Sequence, residues 1–430
     1  MSGTTMRNPD FGNTVRLLRL RRKMTQPELA DAVNVTKFWI SKIEHGTVPH
    51  PNTVAALDSV LGAENNLINQ ARRARTELSA HLRHTAQLPS APPLIYGRRH
   101  ELGALHSELA PHHRTPIRVL TGPAGIGKTG LAVTWAHDAT PSFPDGVLYS
   151  RLHGHTPGRA PATAHDVLAD LISGLGVTDL PNSQDAREAL LKTLLADKKV
   201  LLVLDDADST KQVRPLLPGG HHCAVLITSR RRLSGLSIRS SARHLQLARL
   251  PISSAADMLA GLIGEDDAEQ SPRLTRLAEL LDCLPLAIHA AAELVHAHGY
   301  GLGELIAVME GPTRLQALDL AADDDPEASL SAALNASAQH LSADATALLI
   351  ELAHRGDQMV DALPVNERRE LLREKFLVPG DGGVQLPSLV AEWAKTVLGP
   401  RPVHRPARET TATADRDAVE TKPPRRIAVA

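Results

Sequence analysis

Eight consecutive residues, Gly122-Pro123-Ala124-Gly125-Ile126-Gly127-Lys128-Thr129, constrain this chain more than any other stretch of it. An apolar run at residues 117–120 precedes them and a helix-compatible segment begins near Gly130, so the local order is strand, loop, helix. The spacing is G-x-x-x-x-G-K-[ST] in the context that gives that pattern meaning. The glycines let backbone N–H groups turn inward around an anion, and the helix N-terminus adds its dipole. The lysine neutralises outer phosphates, and the threonine hydroxyl is an oxygen ligand for Mg2+. Gly122, Gly125, Ile126, Gly127, Lys128, Thr129 and Gly130 are therefore assigned to phosphate binding, with Lys128 also in a catalytic role and Thr129 as a metal ligand.

Downstream, Val200-Leu201-Leu202-Val203-Leu204 is a continuous aliphatic run of the kind buried on both faces of a parallel sheet, and it ends in Asp205-Asp206. Ligands of open α/β sheets bind at the carboxyl ends of strands, so Asp205 is expected to hold Mg2+ and Asp206 to polarise an attacking water. A further strand at 224–228 runs into Ser229-Arg230, which places Arg230 as a sensor of the γ-phosphate; Arg231 and Arg232 read as solvent-facing charge. The implied cofactors are ATP or ADP with Mg2+, and the implied enzyme is a slow ATPase serving as a switch.

A chain of 430 residues needs several cores. Aromatic residues make up 2% of it, so those cores must be aliphatic. The formal net charge is −1, yet residues 7–83 carry an excess of Arg and Lys, with Arg16, Arg19, Arg21, Arg22 and Lys23 close together. Val15, Leu17, Leu18 and Leu20 predict a first helix. Thr25 followed by Glu28 is a capping box that opens a second, with Leu29, Ala32 and Val33 as its apolar contacts. Asn34 gives a turn, Thr36 caps a third helix containing Ile40 and Ile43, Gly46 stops it, and a fourth runs from 52 to about 61. Two short helices across a tight turn, with supporting helices, are helix-turn-helix spacing, in which the second of the pair lies in the DNA major groove.

The stretch MTQPELADAVNVTKFWISKIEHG resembles the lambda-repressor-like, XRE-type helix-turn-helix family. That resemblance places Gln26 near a phosphate, Thr36, Lys37, Phe38 and Ser41 toward bases or backbone, and Lys42 at a further phosphate, with Phe38 or Trp39 packing inward. A monomer would read only a short half-site, so a dimer or larger homo-oligomer on double-stranded DNA is expected.

Cys223 and Cys283 read as isolated buried thiols. Among 21 histidines, pairs such as His112-His113 and His221-His222 lack an i, i+4 partner or a nearby carboxylate cluster, so no histidine metal site is expected from spacing. No run is long enough for a membrane-spanning helix, and residues 1–10 lack a signal-peptide pattern, so the expected location is the bacterial cytoplasm.

From Tyr96 to Leu398 the motifs resemble the NB-ARC class of STAND ATPases, which includes many actinobacterial regulators. Tyr96-Gly97-Arg98 is similar to the family's adenine-side entry motif, Phe143-Pro144-Asp145-Gly146 to its post-helix strand approach, Leu216-Leu217-Pro218-Gly219 and Thr228-Ser229-Arg230 to its later loops, and Cys283-Leu284-Pro285-Leu286-Ala287 to its Gly-Leu-Pro-Leu-Ala element, where Pro285 would lie against nucleotide. Tyr96, Gly97, Arg98 and Pro285 thus join the nucleotide-binding set. The family's Met-His-Asp motif aligns with Leu386, Pro387 and Ser388, which lack the histidine and put the usual ADP lock in doubt. The expected architecture is multidomain, mainly α and α/β. It comprises a helix-turn-helix domain (1–65), a helix at 71–84 and Pro-rich linker (66–94), a P-loop α/β domain (95–250), a helical domain (251–327), a winged-helix domain (328–398) and a disordered tail (399–430).

The leading functional reading is an ATP/ADP-switched, sequence-specific transcriptional regulator in which nucleotide state controls oligomerisation and DNA binding. The alternatives are a defence or signalling scaffold assembling on a sensed ligand or protein, and an ATP-driven nucleic-acid-remodelling enzyme.

Overall fold

The computed structural model describes residues 9–72, 88–107, 115–264, 271–322, 325–356, 359–360, 363–380 and 383–399. The expectations for the 71–84 helix, the start of the Pro-rich linker, the 112–113 histidine pair and the tail fall wholly or mostly outside them.

The N-terminal helices are α1 (Pro9–Arg21), α2 (Gln26–Ala32), α3 (Lys37–Glu44) and α4 (Pro51–Leu61). Their ends are set locally. Thr25 and Glu28 form the reciprocal capping box at α2, Thr36 Oγ1 accepts from Trp39 N at α3, and Gly46 follows α3 at φ +97°. Phe11, Val15, Leu29, Ala30, Ile40, Ile43, Leu57 and Leu67 make the core. The inward stripe of α1 runs Phe11, Val15, Leu18 at helical spacing, which leaves Leu17 and Leu20 58% and 53% exposed. One expectation is corrected: on α2, Ala30 is buried and Ala32, expected as an apolar contact, is exposed. Gly12 permits α1 to touch the end of α3, since a Cβ there would lie 2.4 Å from Gly46 N.

After α5 (Arg99–Ser107) comes a five-stranded parallel sheet in the order β2-β3-β4-β1-β5. Its strands are β1 (Ile117–Thr121), β2 (Val147–Arg151), β3 (Leu201–Ala207), β4 (Ala224–Ser229) and β5 (Arg243–Gln246). They are linked by α6 (Lys128–Ala139), α7 (Ala164–Gly174), α8 (Gln184–Leu195) and the short α9 (Thr210–Val213) and α10 (Ser234–Ser240). The two-residue side-chain period divides the apolar strand residues between two cores: Leu201, Val203 and Leu226 face one, Leu202, Leu204, Val225 and Ile227 the other. Parallel strands with both faces covered account for the near-continuous aliphatic runs. The ends of β3, β4 and β1 lie side by side, which is where the phosphate loop, Asp205-Asp206 and Arg230 emerge.

Helices α11 (Ile252–Ile263), α12 (Ser271–Leu280), α13 (Pro285–His298), α14 (Leu302–Glu310) and α15 (Arg314–Leu320) follow. Then come α16 (Leu330–Ala338), α17 (Ala343–Arg355), α18 (Val365–Arg373) and α19 (Ser388–Val397), with an antiparallel sheet of β6 (Met359–Val360), β8 (Gly383–Gln385) and β7 (Val378–Gly380) in that order. Phe376 stacks on the fully buried Trp393 at 5.4 Å. One apolar core runs from Leu120 and Leu226 through Leu277 and Ile288 to Leu334 and Trp393, so the sheet and the helices behind it are buried together. Among the described residues no helix is long and apolar enough to cross a membrane.

Candidate functional site

The loop between β1 and α6 turns through Gly125 at φ +71° and Gly127 at φ +88°, backbone conformations that glycine adopts without strain. Lys128 Nζ donates to the carbonyls of Gly122 (3.1 Å) and Pro123 (2.8 Å). The side chain is half-buried by surface area but lies deep in protein mass. That desolvation, reinforced by the Arg230 charge, pulls its pKa down to about 7 against the opposing pull of Asp206 and Asp205.

At the end of β3, Asp205 is buried. Its carboxylate accepts from Thr129 Oγ1 (2.8 Å), Thr228 Oγ1 (2.6 Å) and the Tyr149 hydroxyl (3.1 Å). The pairing of Thr129 with Asp205 sets a hydroxyl and a carboxylate together, an oxygen donor set suited to Mg2+. Asp206 follows at φ +55°, where the pairing of β3 with β4 breaks register between Leu204 and Ala207. This kink turns its side chain away from Asp205. His155 N (3.0 Å) and Thr156 Oγ1 (3.3 Å) donate to Oδ2, and the His155 ring Nδ1 lies 3.3 Å from Oδ1. Burial works against the Asp206 charge, but the His155 donors and the Arg230 guanidinium hold its carboxyl well below the usual carboxylate range. Burial pushes the His155 imidazole down.

Arg230 does not point into open solvent. It donates to Ala333 O (2.5 Å) and Ser337 Oγ (2.8 Å) on α16 and to His155 O (3.3 Å). The reading of Arg231 as solvent-facing charge is corrected: its guanidinium pairs with Asp208 (3.2 Å) and the buried Glu374 (2.9 Å). Only Arg232 of that pair is exposed.

A cavity of about 360 Å3 joins these groups. It is lined by Tyr96, Arg98, Gly125 to Gly130, Asp206, Thr228, Arg230, Pro285, Met258 and His289, so most of the sequence-assigned nucleotide residues meet there. Gly122, Gly97 and the buried Asp205 stand outside the lining, Asp205 lying behind Thr129 and Thr228, to which it is hydrogen-bonded. Gly97, at φ +63°, instead allows close packing on α11, since a Cβ there would lie 2.8 Å from Ser254 Cβ. Arg98 fastens the entry segment to the loop through Ile126 O (3.2 Å) and pairs with Glu101. Pro285 opens α13, and the next residue, Leu286, donates its N–H to Gly125 O (3.1 Å), so this helix is hydrogen-bonded to the phosphate loop.

Leu386, Pro387 and Ser388 do not line this cavity. Ser388 Oγ (2.9 Å) and Leu389 N (2.9 Å) instead donate to Asp282, which also pairs with Arg249. Cys223 is buried, whereas Cys283 is only half-buried, correcting the expectation for the second thiol. Tyr149, Thr228, His155 and Thr156 were missed in the sequence. Their partners at Asp205 and Asp206 lie 22 to 56 positions away along the chain, so no local period reveals them; only the position of Thr228 at a strand end beside Arg230 hinted at a role.

On the N-terminal unit, Lys37 and Phe38 are exposed on α3, Phe38 at 68%, and Lys42 Nζ sits 4.8 Å over the Phe38 ring; Trp39 is the aromatic that packs inward. Ser41 is partly exposed on the same helix. The hydroxyl of Thr36 is occupied as a cap. Gln26 Nε2 donates to Glu44 (2.7 Å), which also receives Arg19 Nε at 2.5 Å inside the domain. Arg19 therefore belongs to the core and not to the basic surface.

Fold and site together define a helix-turn-helix domain joined to a P-loop α/β module. Residues 10–71 match the family described as a helix-turn-helix domain, HTH_31. The chain is 33% identical over 319 residues to the regulatory protein AfsR of Streptomyces coelicolor, covering 72% of this chain and 31% of that protein. It is 33% identical over 287 residues to AfsR of Streptomyces griseus, covering 65% of this chain and 29% of that protein. It thus spans about a third of the length of these relatives. The solved STAND protein PH0952 of Pyrococcus horikoshii is 17% identical with a TM-score of 0.36, covering 72% of this chain and 44% of that one, a likeness too distant to carry weight. The chain thus carries a helix-turn-helix domain and is similar over much of its length to part of the regulatory protein AfsR.

Proposed function

We propose that this chain is a sequence-specific, DNA-binding transcriptional regulator switched by ATP and ADP, with nucleotide state controlling assembly and DNA binding. The observation that carries this reading is the position of Arg230. It stands at the cavity beside the phosphate loop, where a terminal phosphate would draw it, yet it is tied to Ala333 and Ser337 of α16. A γ-phosphate competing for that guanidinium would loosen the C-terminal helices, while ADP would leave the tie intact. Arg151 to Glu327 (2.7 Å) and Arg231 to Glu374 are further ties across the same junction. A nucleotide shifts such an equilibrium only by its differential affinity for the two states, and a contact reserved for the γ-phosphate supplies that difference.

In this reading Lys128 and the backbone of Gly125 to Gly130 hold the phosphates, and Tyr96, Arg98 and Pro285 border the base side. Thr129 and Asp205 hold Mg2+, which supplies charge neutralisation across the phosphates. Asp206 orients the attacking water once Thr156 or His155 yields an oxygen. Lys37, Phe38, Ser41 and Lys42 face DNA, with Gln26 contributing from the start of α2. The AfsR relatives are regulatory proteins by name, which agrees with this assignment.

The test is to measure the assembly state and DNA affinity of the full chain with ADP, ATP and a non-hydrolysable ATP analogue, on fragments including its own promoter. One nucleotide should raise both oligomer size and specific affinity. DNA binding that ignores nucleotide would remove the switch. In the same assay Lys37→Ala should lower the salt slope by about 0.9 if that ammonium meets one phosphate.

The pKa of Lys128 gives a separate expectation. Near pH 7 and above, the free protein holds a growing fraction of neutral lysine, whereas phosphates beside it favour the ammonium. Binding should then take up as much as about one proton, and affinity should fall by up to about tenfold per pH unit above 7. Calorimetry in buffers of differing ionisation enthalpy reads this directly; a buffer-independent heat at pH 8 would mean the lysine is already charged.

A further inference from the structure

We propose that His155, Asp208 and His340 form a binding site for a transition-metal dication of the zinc type, separate from the Mg2+ position. One ligand atom from each of the three lies within 4.8 Å of the others. The His155 side chain is fully buried, and its Nδ1 is engaged by Asp206. Its Nε2 is buried and has no hydrogen-bond partner among the described residues. An imidazole nitrogen in that position loses hydration with no replacement, a cost that native structures rarely leave standing without a use. With Nδ1–H given to the Asp206 carboxylate, Nε2 carries the lone pair. Carboxylate, imidazole and metal in that order is the arrangement that fixes the tautomer and raises the basicity of a ligating histidine.

The other two donors complete the argument. His340 is exposed and its ring stands edge-on to that of His155, with centroids 5.8 Å apart at 75°. Asp208 is partly exposed and uses Oδ1 for Arg231, leaving Oδ2 for a cation. Two imidazoles and a carboxylate match zinc better than calcium or magnesium, which take all-oxygen sets. Zinc bonds of about 2.0–2.2 Å would draw the three groups closer together. The exposed His340 can make that movement by side-chain rotation. Arg230 and Arg231 oppose the cation's charge, and Asp206 and Glu374 beside them offset that field.

The three ligands come from the loop after β2, the segment after β3 and the turn after α16. A bound ion therefore staples the P-loop module to the C-terminal helices at the junction that Arg230 spans, and it also touches Asp206 through His155. This inference stands on the cluster itself and does not depend on the DNA reading.

The test uses the full chain in saturating Mg2+, titrated first with Co2+ for its visible d–d absorption and then with Zn2+ alone by calorimetry and thermal melting. The wild type should show a tetrahedral Co2+ band and a Zn2+-dependent rise in melting temperature. His340→Ala should lose both, with affinity at that site reduced by about 100-fold or more, and Asp208→Asn should weaken it. His340 is exposed, so its replacement leaves the apoprotein fold intact, which the metal-free melt checks. Absence of the band in the wild type, or equal stoichiometry and affinity in His340→Ala, overturns the proposal.

Discussion

Lys128→Ala is expected to abolish measurable nucleotide binding while leaving the N-terminal helices untouched. The ammonium now bridges the carbonyls of Gly122 and Pro123 and is the cation placed to meet the outer phosphates. Charge-assisted hydrogen bonds contribute about 1.5–3 kcal/mol each, so an ammonium turned from those carbonyls to make two bonds to phosphate would supply about 3–6 kcal/mol, or roughly a hundredfold to ten-thousandfold in affinity. The helix-turn-helix unit has its own core of Phe11, Val15, Leu29, Ile40 and Leu57 and shares none of it with the cavity. Its melting transition should be unchanged. Retained ATP affinity in the variant, measured by calorimetry, would remove the phosphate loop from the mechanism, whatever happened to DNA binding.

The second large effect is expected at Arg19→Ala. Arg19 and Glu44 are both 9% exposed and paired through Nε and Nη2, and Gln26 Nε2 donates to the same Glu44 Oε2 that receives Arg19 Nη2. Removing one partner of a buried pair leaves an uncompensated charge, at a cost of about 3–5 kcal/mol. A unit of this size shifts by about 4–8 °C per kcal/mol, so its transition should fall by the order of 20 °C and DNA binding should be lost at every salt concentration. Arg16→Ala, on the exposed face of α1, should melt as the wild type does and affect only salt-sensitive binding. Replacing both Arg19 and Glu44 by methionine should recover much of the stability, because the desolvation of both charges disappears together. An Arg19→Ala transition within 2–3 °C of wild type, roughly the effect of a surface change, would show that the pair contributes little.

Much of the fold was legible because its signals are local. The capping box of Thr25 and Glu28, the stop at Gly46, and the strand-loop-helix order around Gly125 and Gly127 depend on residues within a few positions of one another. The aliphatic run at β3 announced a strand covered on both faces, and the residues of β3, like those of β4, proved to divide between two cores. β5, with the pattern Arg243-His244-Leu245-Gln246, carries too little apolar signal to stand out, and its place at the sheet edge comes from pairing with β1. Which of Val15, Leu17, Leu18 and Leu20 faces inward was not legible, because an apolar residue is compatible with either face of a short helix until a neighbouring helix chooses one.

By itself the sequence determined the helix-turn-helix unit, the phosphate loop and the acidic strand end, since each is written in contiguous residues whose backbone preferences agree. Only the tertiary structure decided which charges are partners. It buried Arg19 with Glu44, gave Asp206 to His155, Arg230 to Ser337 and Asp282 to the start of α19, pairs separated by 25, 51, 107 and 106 positions. Such pairs leave no period in the sequence. They arise where folding brings desolvated polar groups together, and each must find a partner there because water no longer supplies one.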